Sequence, residues 1–217
     1  SMCIFSGSVS NVWNTSIFAR QLELSRQVLV YRMALVTNTE VAMILPLPVP
    51  RGSRENAVRF IDLSAYSEFF DDLDLAFPRQ HSMELLTSAL HTTLGVRRPL
   101  IVHEVGAFEA SFVPTRHDFS RLDPRFNLPD QVWQALPGYQ DWGFAVFKLR
   151  PMSRRTDIHP MAFEFPQRNP DRLFFPTVHV HNGRVEPRAT FDHVLYCQDV
   201  DETRRERWYA SFQPRSP

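Results

Sequence analysis

Three segments, 142–149 (WGFAVFKL), 159–166 (HPMAFEFP) and 172–180 (RLFFPTVHV), alternate their side chains with a period of two. That period belongs to a strand, whose successive side chains point to opposite faces. In the first segment Phe144, Val146 and Lys148 share one face, and Ala145, Phe147 and Leu149 share the other.

Most other apolar runs read as strands too. Segment 28–36 (VLVYRMALV) is rich in β-branched and aromatic residues, and 41–45 (VAMIL) follows a turn at 37–40. The two predict a hairpin. Pro46, Pro48 and Pro50 predict an extended exit, because proline fixes φ and cannot donate to a ladder. Segments 58–63, 99–105, 107–113 and 190–197 also read as strands. Helical spacing appears over 66–73, where Tyr66, Phe69, Phe70 and Leu73 form a stripe, over 81–95, and in the charged tail 199–212. Segment 119–139 is a proline-bearing loop with short helical turns. Strands dominate both ends and helices lie mostly in the middle. The predicted class is therefore α+β: a single domain, 1–217, with an antiparallel-dominated sheet and a few short helices. Its core is 2–198, and 199–217 is a charged helix and tail.

The formal net charge is zero, with 24 basic and 24 acidic residues. This speaks against partners that need a strong whole-protein field, so neither nucleic acid nor a membrane is predicted. No run of 18 apolar residues predicts a transmembrane helix. Two cysteines almost 200 residues apart predict reduced thiols and a cytoplasmic protein. The sequence has only seven glycines and no glycine-rich phosphate loop.

Several stretches together resemble an uncharacterised family of bacterial domains. They are 42–50 (AMILPLPVP), 105–114 (VGAFEASFVP), 142–149 (WGFAVFKL), 159–166 (HPMAFEFP) and 173–180 (LFFPTVHV). These match a Leu-Pro-x-Pro strand, a Val-Gly-x-aromatic strand, a Trp-x-Phe strand and paired Pro-x-x-Phe-x-Phe strands. The resemblance implies a fold but no activity.

One cluster of metal-ligating side chains stands out. Asn182-Gly183 favours a two-residue type I′ turn, which pairs His181 with Arg184, Val180 with Val185 and His179 with Glu186. His179, His181 and Glu186 then share a face, a two-histidine, one-carboxylate set that suits Zn or non-haem Fe. In this register His193 lies opposite Arg172, about 23 Å from His179 at about 3.3 Å per residue. It joins the set only if Pro187 ends the hairpin. The blander reading is an exposed hairpin tip with polar alternation.

Cys3 is a second candidate. Ser1 reads as an expression remnant, and removal of Met2 would leave Cys3 N-terminal, able to act as a nucleophile with its own amine as base. Its blander reading is a small hydrophobe at a strand start. His193 and Cys197 are about 13 Å apart in a strand, too far for proton transfer. Trp13, Trp133, Trp142 and Trp208 are candidates to line a pocket or to fill a core. Three functions follow. The first is a binding or interaction domain, whose protein partner meets segment 46–50 or a sheet edge. The second is a metal-dependent protein using the His-x-His hairpin. The third is an N-terminal cysteine hydrolase. The sequence leaves open whether the chain is an enzyme.

Overall fold

The computed structural model describes residues 3–23, 25–77, 102–105, 108–181, 183–185 and 193–198. The predicted helices at 81–95 and 199–212 lie outside them.

In chain order the strands are β1 (Ile4–Phe5), β2 (Asn11–Leu22), β3 (Arg26–Thr37), β4 (Val41–Leu47), β5 (Arg59–Asp62), β6 (Val102–Val105) and β7 (Phe108–Val113). They continue as β8 (Gly143–Leu149), β9 (Met152–Asp157), β10 (Met161–Pro166), β11 (Val180–His181), β12 (Arg184–Val185) and β13 (Val194–Gln198). Two short helices, α1 (Phe69–Ala76) and α2 (Asp130–Gln134), join several 3-10 turns among the described residues. One sheet has seven strands, ordered β12-β11-β1-β4-β8-β7-β6. The other runs β13-β2-β3-β10-β5, with β9 also on β3. Of the described pairings, β1–β11 and β13–β2 are parallel and the rest antiparallel.

The two sheets pack face to face around one core. Leu29, Tyr31, Met33 and Leu35 of β3 enter it from one side; Met43, Leu45, Phe147 and Leu149 of β4 and β8 enter from the other. The outer face of the seven-stranded sheet carries a second cluster with Ile44, Phe144, Val146, Phe119 and Trp133. On the outer face of the six-stranded sheet, Val30, Ala162 and Tyr196 pack with Phe70 of α1. The described residues thus form one α+β domain of four layers. β8 divides its side chains between two clusters, Ala145, Phe147 and Leu149 in the core between the sheets and Phe144 and Val146 on the outer face.

The predicted hairpin of 28–36 with 41–45 does not form. β3 and β4 lie in opposite sheets, because every residue of β4 is buried. A strand apolar on both faces takes a central position, here between β1 and β8, and the turn at 38–40 crosses between sheets. Pro46 belongs to β4, opposite Phe144, and is not part of an exit from the strand. Both backbone groups of Ala42 bond to Ser6, on the β1 side. By alternation the Pro46 nitrogen faces that side too, beyond the last described pair, Ile4 with Ile44. A missing donor is tolerated where a ladder ends.

The predicted strand 172–180 is regular only at Val180–His181. Pro176 lacks an N–H, and the backbone before it is bound by side chains. Gln27 donates to the Phe174 carbonyl at 2.7 Å and accepts from the Phe174 N–H at 2.9 Å. Gln167 donates to the Arg172 carbonyl at 2.9 Å. Strand β9 (MSRRTD) has no apolar alternation and is recognisable only from its pairing with β3.

Candidate functional site

After β7 the chain leaves the sheet and returns only at β8. In between, a 3-10 turn at Arg116–Arg121, a second at Pro124–Phe126, and α2 lie over the outer face of the seven-stranded sheet. Short polar contacts set these turns. Thr115 Oγ1 donates to Asp118 Oδ2 at 2.7 Å, and Asp123 Oδ1 accepts from the Arg125 N–H at 3.0 Å, ahead of Pro124 at the turn's start. Between the turns and α2 opens a cleft of about 460 Å³, within the size range of small-ligand sites.

Its floor is apolar. Phe119, Trp133 and Phe144 form a triangle of edge-to-face contacts, with centroids 5.0, 5.1 and 5.4 Å apart. Leu128 adds to the lining, and Arg116, His117, Ser120, Asn127 and Asp130 supply its polar part. The side-chain oxygen of Asn127 is buried and receives no hydrogen bond from any described residue. A buried acceptor left unpaired costs about 1–3 kcal/mol, so a native fold keeps one for a reason.

Arg116 also differs from its neighbours. Arg121 is bound by both Glu55 and Asp118, at 2.5 and 3.2 Å. Arg125 is bound by Glu40 and Asp123, at 2.6 and 2.8 Å. The hydrogen bonds from Arg125 hold the pKa of the Asp123 carboxyl at about 2. Among the described residues, Arg116 has one long carboxylate contact, 3.4 Å to Asp130, whose side chain is 88% exposed. Such a pair contributes little. The Arg116 guanidinium sits 5.3 Å over the Trp133 ring, which fixes it at the cleft.

The predicted hairpin is present in its predicted register. Val180 pairs with Val185 and His181 with Arg184, and Gly183 has φ of +69°, as a type I′ turn requires. β11 also pairs in parallel with β1, and the Val180 N–H donates to the Cys3 carbonyl at 3.1 Å. His179 is half-buried. His181 lies in β11, but its side chain is outside the described residues, as is Glu186. His193 immediately precedes β13, which pairs with β2 in the other sheet. Among the described residues no three potential metal ligands converge. Cys3 is fully buried in the core between the sheets, the setting of a small hydrophobe. Cys197 lies in β13 opposite Ala19, in the predicted strand.

Segment 46–50 is mostly taken up by the fold itself. Pro46, Leu47 and Val49 are buried, and only Pro50 is exposed. Of the four tryptophans, Trp133 lines the cleft, whereas Trp142 packs against Tyr139 and Phe174. Nothing in the sequence singles out Asn127. An orphaned acceptor is a property of its surroundings, and the surroundings are assembled from two turns and α2.

The chain matches no model of a known protein family. Its fold is similar to that of baculovirus p35. The crystal structure of that protein aligns with 76% of this chain at 15% identity and a TM-score of 0.41. A mutated baculovirus p35 after caspase cleavage aligns with 89% of this chain and 69% of its own, at 15% identity and a TM-score of 0.46. A caspase-8/p35 complex gives 16% identity, 78% of this chain, 58% of its own and a TM-score of 0.38. This chain covers 57% of the first of these proteins. Among the described residues no helix is long and apolar enough to cross a membrane.

Proposed function

We propose that this chain is a binding domain for a protein partner and that the cleft between Arg116 and Trp133 is its docking site. The observation that carries the reading is Arg116, held 5.3 Å over the Trp133 ring at the cleft with, among the described residues, one 3.4 Å carboxylate contact, to the exposed Asp130. A partner's acidic group would pair with it, and the Trp133 edge of the cleft would meet an apolar side chain. Two-dimensional amide NMR on the whole chain, titrated with pools of short peptides, tests this. Saturable shifts centred on the Trp133 indole and the Asn127 side-chain amide are expected. Shifts scattered over the surface, or none, would sink it.

The hairpin register favours a second reading, in which His179, His181 and Glu186 hold Zn or Fe. Pairing of Val180 with Val185 and His181 with Arg184 supports it, because the same register carried one pair outward would set His179 opposite Glu186. Elemental analysis of untagged protein checks it. The metal should be near-stoichiometric and absent from the double variant His179→Ala, His181→Ala; protein that stays metal-free after reconstitution rules it out.

A further inference from the structure

We infer that β1 is exchanged between two copies of this chain, segment 3–5 of each filling the slot between β4 and β11 of the other. β1 is two residues long, yet it lies inside the seven-stranded sheet, with β4 on one side and β11 on the other. Ile4 stands opposite Ile44 and Val180, and Phe5 opposite Met43. The Val180 N–H donates to the Cys3 carbonyl at 3.1 Å, and the Ser6 N–H donates to the Ala42 carbonyl at 3.0 Å. Cys3 and Phe5 enter the core between the sheets and Ile4 enters the outer cluster, each at most 1% exposed. An emptied slot would expose apolar surface on both faces of the sheet. That selects the occupant: a second copy brings the same three side chains and the same backbone bonds, so exchange costs little beyond association. Segment 6–10 (SGSVS) supplies the hinge. It crosses from the seven-stranded sheet to β2 in the other, and a Cβ on its Gly7 would stand 3.0 Å from a Val41 methyl. A short hinge in a crowded corner invites exchange. Among the described residues β11 and β12 join the sheet only through β1. In the exchanged dimer each copy's hairpin is therefore held by the other copy's β1.

The test shortens the hinge. With Gly7 and Ser8 deleted, β1 is tethered too closely to reach its own slot but not that of a second copy. The variant should run as a dimer by size exclusion and native mass spectrometry. A dimer mixed from one isotope-labelled and one unlabelled copy should show an NOE between the Ile4 methyls of one and the Ile44 methyls of the other. Lengthening the hinge with glycine and serine should restore the monomer. A folded monomer of the shortened chain, or a dimer without that NOE, would overturn the inference. If the shortened chain does not fold, the unaltered chain decides. Labelled and unlabelled protein, held together just below the melting temperature, should give mixed dimers with the same NOE, in a proportion that rises with concentration. Monomer alone, or mixed dimers lacking the NOE, would overturn it. Peptide shifts at the cleft are read separately, so this failure would leave the binding reading standing.

Discussion

Gln27 and Phe174 are bonded as two strand residues would be, except that one of the two contributes a side chain. The Gln27 amide both donates to and accepts from the Phe174 backbone, and its oxygen also accepts from Gln167 Nε2 at 3.0 Å. Gln27 is fully buried, so water cannot take over these bonds. The 172–178 segment is thereby fixed against the core without forming a regular strand.

Replacing Gln27 with Leu keeps its approximate volume and strands the Phe174 N–H and carbonyl together with the Gln167 amide. The expected cost is about 2–4 kcal/mol, read as a fall in the urea midpoint at unchanged slope. A cost within experimental error would show that 172–178 is held by packing alone.

Glu164 links stability to pH. It is buried in β10 and receives hydrogen bonds from Arg26 and Arg59. Burial pushes its pKa up, but the two arginines outweigh burial and leave it below its ordinary value of 4.5. A carboxyl whose folded pKa is depressed stabilises the fold above its unfolded pKa, and that stability disappears as pH falls through the folded value. Acid should therefore destabilise the protein from about pH 4.5 downward, and Glu164→Gln should flatten that dependence. Near pH 7 the variant should lose about 2 kcal/mol, modest because Arg59 is 69% exposed. Denaturation curves between pH 3 and 7 decide it; parallel pH profiles for the two proteins would place the acid sensitivity elsewhere.

Gly143 opens β8 beneath the Phe112 ring. A Cβ there would lie 2.6 Å from two ring carbons and 2.9 Å from a Val49 methyl. Phe112 and Val49 are both buried, so neither can move aside freely. Gly143→Ala should cost about 1–3 kcal/mol by overpacking, measured by thermal unfolding. The larger Gly143→Val should prevent folding.

Asn127→Ala should move stability the other way. It removes a buried acceptor that no described donor reaches, a gain of about 1 kcal/mol, visible calorimetrically as a higher melting temperature without any ligand.

The strands are the most legible part of the sequence. β3, β7, β8 and β10 show period-two or β-branched runs, and the residue types of the Asn182-Gly183 turn are enough to specify the pairing of Val180 with Val185. Strand existence is written in local pattern; strand partnership is not. The turn between Thr37 and Val41 is as short as a hairpin's, yet it joins two sheets, because burial of both faces of β4 depends on layers contributed by residues as far apart in the chain as Ile17 and Trp133. β9 is illegible because its residues, Met152–Asp157, are mostly polar. The cleft is only partly visible, through Trp133. Asn127 looks like an ordinary turn residue until the chain around it has closed.

β8 packs the buried Phe144 against Phe119 and Trp133 of the cleft and, on either side in sequence, lends Gly143 and Ala145 to tight packing within the sandwich. The aromatic lining of the cleft thus rests on the strand that carries the keystone of the fold. A partner settling beside Trp133, which packs on Phe144, would brace the whole domain rather than a detachable flap, so occupancy of the cleft should register as resistance to global unfolding, growing with the logarithm of partner concentration.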